Sequence, residues 1–457
     1  MILLEELYRH AKDRPDRLAI RECGTGKTAT YRELVQAVQG LSRKLPASAG
    51  ETFLLRCGNS IEFYIAFFAC FSSKSNVFAM GCGAAEAEVS QAIKRSGTRG
   101  VIGCGLQVKE VVEFSDPSRS YADDDGAPAL LLQSSGTTGL PKIVQRPATT
   151  VDAAASMIAE TRCITESDEI LSCVPLAHSY GIEHGLLAPI LVGATVHIAH
   201  GFEMSTIARE LTARHITVFP AVPTIVEMLT QFDDLPSRLG GLRLIYSAGG
   251  PLPVSLNKKF ARRFGLRVGQ IYGASEIGSV TFSDPDREDF DPESAGRALG
   301  GVEMKLDADG QLLVKAPSQM AGYVGEKSPF TSDGFFPTGD LARVDANNRN
   351  ITLTGRSKLL IDVGGRKVNP LEVEETLRLY PGIADCVVVG VHQSETLRRL
   401  KALYVVREFQ TAPTEEELRQ FLKEHLSGYK IPRIFELRES LPRTAAGKIQ
   451  RHLLEQS

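Results

Sequence analysis

The chain is 457 residues long, carries 52 Lys+Arg against 55 Asp+Glu for a net charge of −3, and is 43% hydrophobic. That profile suits a globular protein of two or three domains, or one large and one small, and a charge this close to balance argues against a nucleic-acid partner. No stretch reaches the ~20 apolar residues of a membrane helix, Met1 to Asp16 reads as neither signal nor transit peptide, and the eight cysteines contain no CxxC pair, so a cytoplasmic chain with reduced thiols is expected rather than a secreted, membrane-spanning, disulfide-framed or zinc-ribbon one.

Gly24-Thr25-Gly26-Lys27-Thr28 ends like a Walker loop, but Arg21 stands where the first glycine is required. A hairpin turn between Leu18–Arg21 and Thr28–Tyr31 is expected instead. A strand at Thr52 to Arg56 and a helix at Ser60 to Phe71 begin a series of alternations. Ile216 to Phe219 with Pro223 to Leu229 continues it, as does Leu242 to Tyr246 with a helix near Pro253 to Phe264. Such alternation predicts an α/β sheet with mainly parallel strands. From about Gly310 the pattern turns to short strands: Gln311 to Lys315, Gly339 to Val344 and Ile351 to Leu353. A helix at Pro370 to Leu379, strands at Asp385 to Val391 and Ala402 to Val406, and a helix at Thr414 to Leu426 then read as two crossed strand–helix units of a small α/β domain. The boundary is placed between positions 356 and 357, giving domains 1–356 and 357–457.

The densest local signal follows the apolar Leu130 to Leu132. It runs through Ser134, Ser135, Gly136, Thr137, Thr138 and Gly139 to Lys142. Glycines let backbone N–H groups approach an anion, hydroxyls add donors, and a lysine supplies charge for a polyphosphate. Ile143 follows the lysine, so this is not a Walker A loop. Four further motifs follow in order. They are Gln270 to Gly278, Phe335 to Asp340, Gly355 to Ile361 with Gly364-Gly365 behind it, and Pro442 to Lys448. Taken singly, each reads as a turn, a cap or a surface charge.

In this order, the five motifs resemble the adenylate-forming superfamily of acyl- and aryl-CoA synthetases, amino-acid-activating adenylation domains and beetle luciferases. The resemblance runs from Thr30 to Lys448 and is strongest to an acid–CoA ligase. It implies a large N-terminal domain of α/β subdomains that binds ATP and an acid, with a small mobile α/β C-terminal domain. It implies that Ser134 to Gly139 and Lys142 hold the β- and γ-phosphates, and that Tyr272 and Gly273 flank the adenine beside Gly249 and Gly250. Ser275 would touch the α-phosphate, Glu276 would ligate Mg²⁺, Asp340 would take the ribose hydroxyls, and Arg356 would reach the ribose or phosphate. Lys358 falls at the implied hinge, and Gly364-Gly365 at a tunnel for a phosphopantetheine thiol. Lys448 would be the catalytic lysine of adenylation. The implied chemistry is activation of a carboxylic acid by ATP, release of pyrophosphate, and transfer to the thiol of CoA. A carrier-protein thiol is the alternative acceptor. A catalytically silent sensor of acyl-AMP is the reading from another class, and the presence of Glu276, Asp340 and Lys448 argues against it.

Val174 to Gly181 resembles the family's acid-site motif. His178 is the second catalytic candidate, as a pocket wall or gate, with a turn-capping structural histidine as the alternative. Ser179, Tyr180, Ala248, Gly249, Gly273 and Ile277 complete the expected pocket. Amino-acid-activating members carry an aspartate in this region, and none occurs here between Cys173 and His200. A buried pocket without a counter-charge rejects an ammonium group, so an aryl or acyl acid lacking an α-amino group is expected.

Overall fold

The computed structural model describes residues 1–45, 50–82, 84, 86–110, 127–134, 142–213, 216–345, 349–356, 361–363, 366–392, 398–408, 410–426, 428–444 and 448–454. Two large sheets carry the first three hundred or so positions. In the nine-stranded sheet, Thr195–Ile198, Glu169–Ser172, Val218–Ala221, Leu244–Ser247 and Gly269–Ala274 run parallel in that spatial order. Gly278–Ser283 closes one side antiparallel. On the other side lies the hairpin of Leu18–Glu22 with Thr28–Thr30, so Gly24 to Lys27 form the turn expected of them. The seven-stranded sheet is parallel through Thr98–Gly103, Thr52–Arg56, Asn76–Ala79 and Ala129–Gln133. It becomes antiparallel at Ile143–Pro147 and Gly322–Tyr323.

Leu130, Leu131 and Leu132 are all buried because both faces of this sheet are covered, which is why the run reads as continuous rather than alternating. Helix Ile61–Ser72 is apolar on every side for the same reason, with Phe63 to Phe71 all buried. Among the described residues no helix is long and apolar enough to cross a membrane.

A four-stranded antiparallel sheet, Glu303–Leu306, Gln311–Lys315, Phe336–Val344 and Ile351–Arg356, follows. The last part of the chain has its own core, built from Val373, Leu377, Cys386, Val388, Ala402, Leu418 and Leu422. Helix Pro370–Arg378 starts with Asn369 accepting from the Leu371 amide and proline in the first turn. Helix Glu415–His425 starts with a capping box between Thr414 and Glu417.

Two expectations shift. The strands read as Ile216 to Phe219 and Leu242 to Tyr246 lie at Val218–Ala221 and Leu244–Ser247, the first running on through Pro220. The two crossed strand–helix units are instead a hairpin: Ile383–His392 pairs antiparallel with Arg398–Val406, and only Ile434–Leu437 joins in parallel. Arg398, Arg399 and Lys401 hid the start of the second strand from an apolar reading. With both strands at full length, positions 393–397 are too few for a parallel crossover, which takes a dozen or more residues.

Candidate active site

Because the central strands of the nine-stranded sheet are parallel, the segments that follow them share one edge. Val174 to His178, Ala248 to Pro251 and Ser275 with Glu276 therefore lie along one rim of the sheet, the candidate cleft. Gly249 has φ +85°, and Gly249 and Gly250 are exposed along this edge. At Gly273 a Cβ would lie 2.3 Å from the Gly278 carbonyl oxygen, so the hairpin that presents Ser275 and Glu276 closes only with glycine there.

Ser134 and Lys142 close the neck of the phosphate-binding candidate. The Ser134 amide donates to the Lys142 carbonyl over 2.8 Å, and the Lys142 amide donates to Ser134 Oγ over 3.2 Å. Ser135, Gly136, Thr137, Thr138 and Gly139 lie outside the described residues, as do the hinge candidate Lys358 and the tunnel candidates Gly364 and Gly365. Lys142 Nζ sits 2.6 Å from the Glu326 carboxylate and 4.5 Å from the centre of the Tyr323 ring. Tyr323 in turn donates to Glu276 Oε1 over 3.0 Å. Burial, then the charge of Glu276, push the Tyr323 phenol far above its ordinary range, so it remains a donor. The hairpin turn is tied down by bonds to the Glu276 and Ile277 carbonyls from the Met320 amide, 2.8 Å, and Ser318 Oγ, 2.6 Å. Neck lysine and metal-binding candidate are thus linked through one tyrosine. Ile277 itself is fully buried in the main core.

Tyr272 and Asp340 meet directly, the phenol donating to Asp340 Oδ2 over 2.7 Å. Asp340 stands opposite Arg356 in the register of their two strands.

The acid-site segment folds back on itself. A Cβ at Gly181 would fall 2.1 Å from the Pro175 carbonyl oxygen, which explains the glycine. His178 occupies the N-cap position of Ser179–Ile182, yet its side chain makes no capping bond, so the turn-capping alternative fails. Its ring is open to solvent at the cleft while protein surrounds it. Burial, then the charge of Lys448, lower its pKa. Lys448 is exposed on a loop closed by Thr444, whose amide donates to the Lys448 carbonyl over 2.8 Å and whose Oγ1 accepts from the Lys448 amide over 3.2 Å.

Behind His178, Ser179–Ile182 continues into a π-helical turn, Glu183–Leu187, and then Ala188–Val192. The extra residue of such a turn re-aims side chains; here Glu183 and His184 are both buried. Glu183 pairs with Arg146, 1% and 0% exposed, and accepts from Ser179 Oγ at 2.9 Å and from the Ser279 amide and hydroxyl at 3.1 and 2.8 Å. His184 bonds Tyr246 through Nδ1 and Ser279 through Nε2, each at 3.0 Å, and burial lowers its pKa well below the ordinary value. The window without aspartate does hold a carboxylate, then, but Arg146 already neutralises it. Arg146, Glu183, His184 and Tyr323 were missed in the sequence. The available signal was a Glu-His pair one helical turn past His178, and an arginine inside an otherwise apolar strand.

Residues 7–324 match the family of AMP-binding enzymes, and residues 372–448 match the AMP-binding enzyme C-terminal domain. The chain is 32% identical to malonate–CoA ligase of Arabidopsis thaliana over 76% of its length, an alignment that spans 63% of that protein. It is 29% identical to 2-succinylbenzoate–CoA ligase of Bacillus licheniformis over 98% of both chains. The solved structure of o-succinylbenzoate CoA synthetase from Bacillus subtilis with its acyl-adenylate intermediate superposes with a TM-score of 0.86 at 26% identity, over 99% of this chain and 98% of that one. The same enzyme with ATP and a magnesium ion gives 0.85 at 27% identity, over 98% of each.

Proposed function

This chain belongs to the AMP-binding enzyme family, and on that premise we propose that it is an AMP-forming acid–CoA ligase acting on an aryl or acyl acid without an α-amino group. The observation that supports the reading is that Tyr272 with Asp340, and Lys142 with Tyr323 and Glu276, form two linked side-chain groups built from the nucleotide and metal candidates.

In the first half-reaction a carboxylate oxygen of the acid attacks the α-phosphorus of ATP, and pyrophosphate leaves. Such transfers depend on placement and on positive charge near the transferring group. Lys448 supplies that charge from the C-terminal side, and Lys142 with the neck at Ser134 receives the departing phosphates. Asp340 accepts two ribose hydroxyls, with Tyr272 fixing the carboxylate. The donor set suits Mg²⁺: one carboxylate, Glu276, beside the phosphate neck, and no cluster of three metal-ligating side chains among the described residues. Glu276 would hold such an ion beside the phosphates, where it would supply charge neutralisation. In the second half-reaction a thiol sulfur attacks the acyl carbonyl and AMP leaves. A swing of domain 357–457 about Lys358, with the thiol entering past Gly364-Gly365, belongs to this proposal. The names of the relatives support CoA as the acceptor. The neutralised Glu183 supports rejection of amino acids.

The test is pyrophosphate release across a panel of carboxylic acids, followed by mass analysis of the product with CoA and with a phosphopantetheinylated carrier protein. Release with acids that lack an α-amino group and a CoA thioester product are expected. Release only with α-amino acids, or transfer only to the carrier, would overturn the assignment.

A further inference from the structure

Arg162 ends the helix Ala148–Thr161 and turns its side chain into the core beneath the acid-site segment. It is 2% exposed. None of Nε, Nη1 and Nη2 has a hydrogen-bond partner among the described residues. The guanidinium carbon lies 4.7 Å from the centre of the Phe282 ring and 5.4 Å from that of Tyr246. Two aromatic faces thus hold it from the sides and leave its five donors unused.

A buried guanidinium without acceptors is costly, and such groups are normally paired. The charged and titratable groups around Arg162 are committed or neutral. Glu183 is committed to Arg146, Ser179 and Ser279. Tyr180 and Tyr246 stay neutral because burial raises their pKa values, and His184 stays neutral because burial lowers its own. Burial likewise works against the charge of Arg162. The charge sum of Arg146, Arg162 and Glu183 is one positive charge in excess.

The cluster around Arg162 is continuous with the acid-site segment. Tyr180 follows His178 by two residues, its ring lies 4.7 Å from that of His184, and His184 bonds Tyr246, on whose face Arg162 rests. Tyr246 precedes Ala248 by two strand residues, so it lies about 7 Å below the rim at strand rise. That depth is comparable to the length of a short acid standing with its reactive carboxylate at the rim.

We propose that Arg162 is the specificity-determining residue of the acid pocket and receives the second, anionic group of a bifunctional acid, so that the preferred substrates are dicarboxylates or their sulfonate analogues rather than simple fatty or aryl monoacids. This rests on the ligase reading above and adds the substrate class. The acid enters with one carboxylate at the rim for adenylation, and its far carboxylate accepts from the guanidinium as a bidentate pair. Selectivity follows from the penalty on a monoacid, which leaves the buried charge unpaired.

The experiment uses the full chain and pyrophosphate release. It compares dicarboxylates from malonate to suberate, and phenyl-bearing diacids, with the monomethyl ester of each. The wild type should favour the best diacid over its half-ester by at least about a hundredfold in kcat/KM. Arg162→Met should abolish that preference by raising the KM for the diacid, with the KM for ATP within about threefold of wild type. Arg162→Lys should keep part of the preference. Should Arg162→Met fail to fold, the wild-type ratio and the Lys variant decide. Ratios near one, or monoacids turned over well where diacids are not, overturn the role of Arg162 while the ligase reading stands. No pyrophosphate with any acid overturns the ligase reading and this inference with it.

Discussion

The Tyr272 phenol donates to Asp340 Oδ2 across 2.7 Å, joining the strand Gly269–Ala274 of the nine-stranded sheet to the strand Phe336–Val344 of the four-stranded one. The two side chains are 8% and 6% exposed. The proposed adenine wall and ribose acceptor are therefore one prepositioned unit. Asp340→Ala should remove the charge-assisted bonds to the ribose, worth roughly 1.5–3 kcal/mol each, and raise the KM for ATP about tenfold or more. Tyr272→Phe keeps the ring and loosens only the carboxylate, so its effect should be smaller. The ATP dependence of pyrophosphate release measures both, and an unchanged KM in Asp340→Ala would remove that residue from the site.

Much of this site was legible in the sequence because its chemistry is local. The neck residues Ser134 and Lys142 lie in one dense motif, and Gly273, Ser275 and Glu276 in another. Their spacing reports a hairpin too tight for side chains at Gly273. What was hidden is long-range. Arg146 and Glu183 come from different sheets and helices, and nothing in sequence order says that they pair. The burial of Ile277 is hidden too, because only the turn that sends it into the core decides it. The hairpin formed by Ile383–His392 and Arg398–Val406 was misread because Arg398, Arg399 and Lys401 break the apolar pattern of a strand; Lys401 pairs with Glu436 at 2.7 Å.

The linkage of Lys142, Tyr323 and Glu276 gives a metal prediction. Glu276→Gln should raise the Mg²⁺ concentration needed for half-maximal rate by about tenfold, since a neutral amide is a poorer ligand for this hard cation. Tyr323→Phe leaves the carboxylate in place and should shift it much less. Titration of activity with Mg²⁺ at fixed ATP checks both variants. Equal curves for Glu276→Gln and wild type would locate the ion elsewhere.

Removing one partner of the buried Arg146–Glu183 pair strands the other. Glu183→Gln should cost about 3–5 kcal/mol of unfolding free energy, because an uncompensated guanidinium remains in the core. Replacing both, as Arg146→Met with Glu183→Leu, should recover much of that loss. Urea unfolding of the three proteins is the measurement, and a single variant within about 1 kcal/mol of wild type would mean that water or movement rescues the arginine.

His184 supplies a pH signature. Its folded-state pKa is held well below the ordinary 6.5 by burial, so the unfolded chain takes up the proton first as pH falls. Stability should therefore be unaffected above that value and decline as pH drops below it, until the folded-state pKa is passed. The slope is up to about 1.4 kcal/mol per pH unit for one proton. His178, also lowered, adds in the same direction. His184→Gln retains donor and acceptor without titrating and should flatten the decline between pH 6.5 and 5. Identical slopes in variant and wild type would show that other groups carry it.

The account turns on Lys448 entering the cleft for adenylation and leaving for thioester formation. Lys448→Ala separates the two steps. We expect pyrophosphate release from acid and ATP to fall by about a hundredfold or more, the scale seen when one charge-stabilising donor is removed from a reacting group. Thioester formation from chemically supplied acyl-adenylate and CoA should stay near the wild-type rate. If instead both half-reactions of purified Lys448→Ala remain near wild type, Lys448 is a surface lysine, and the alternation of the C-terminal domain over the cleft is wrong.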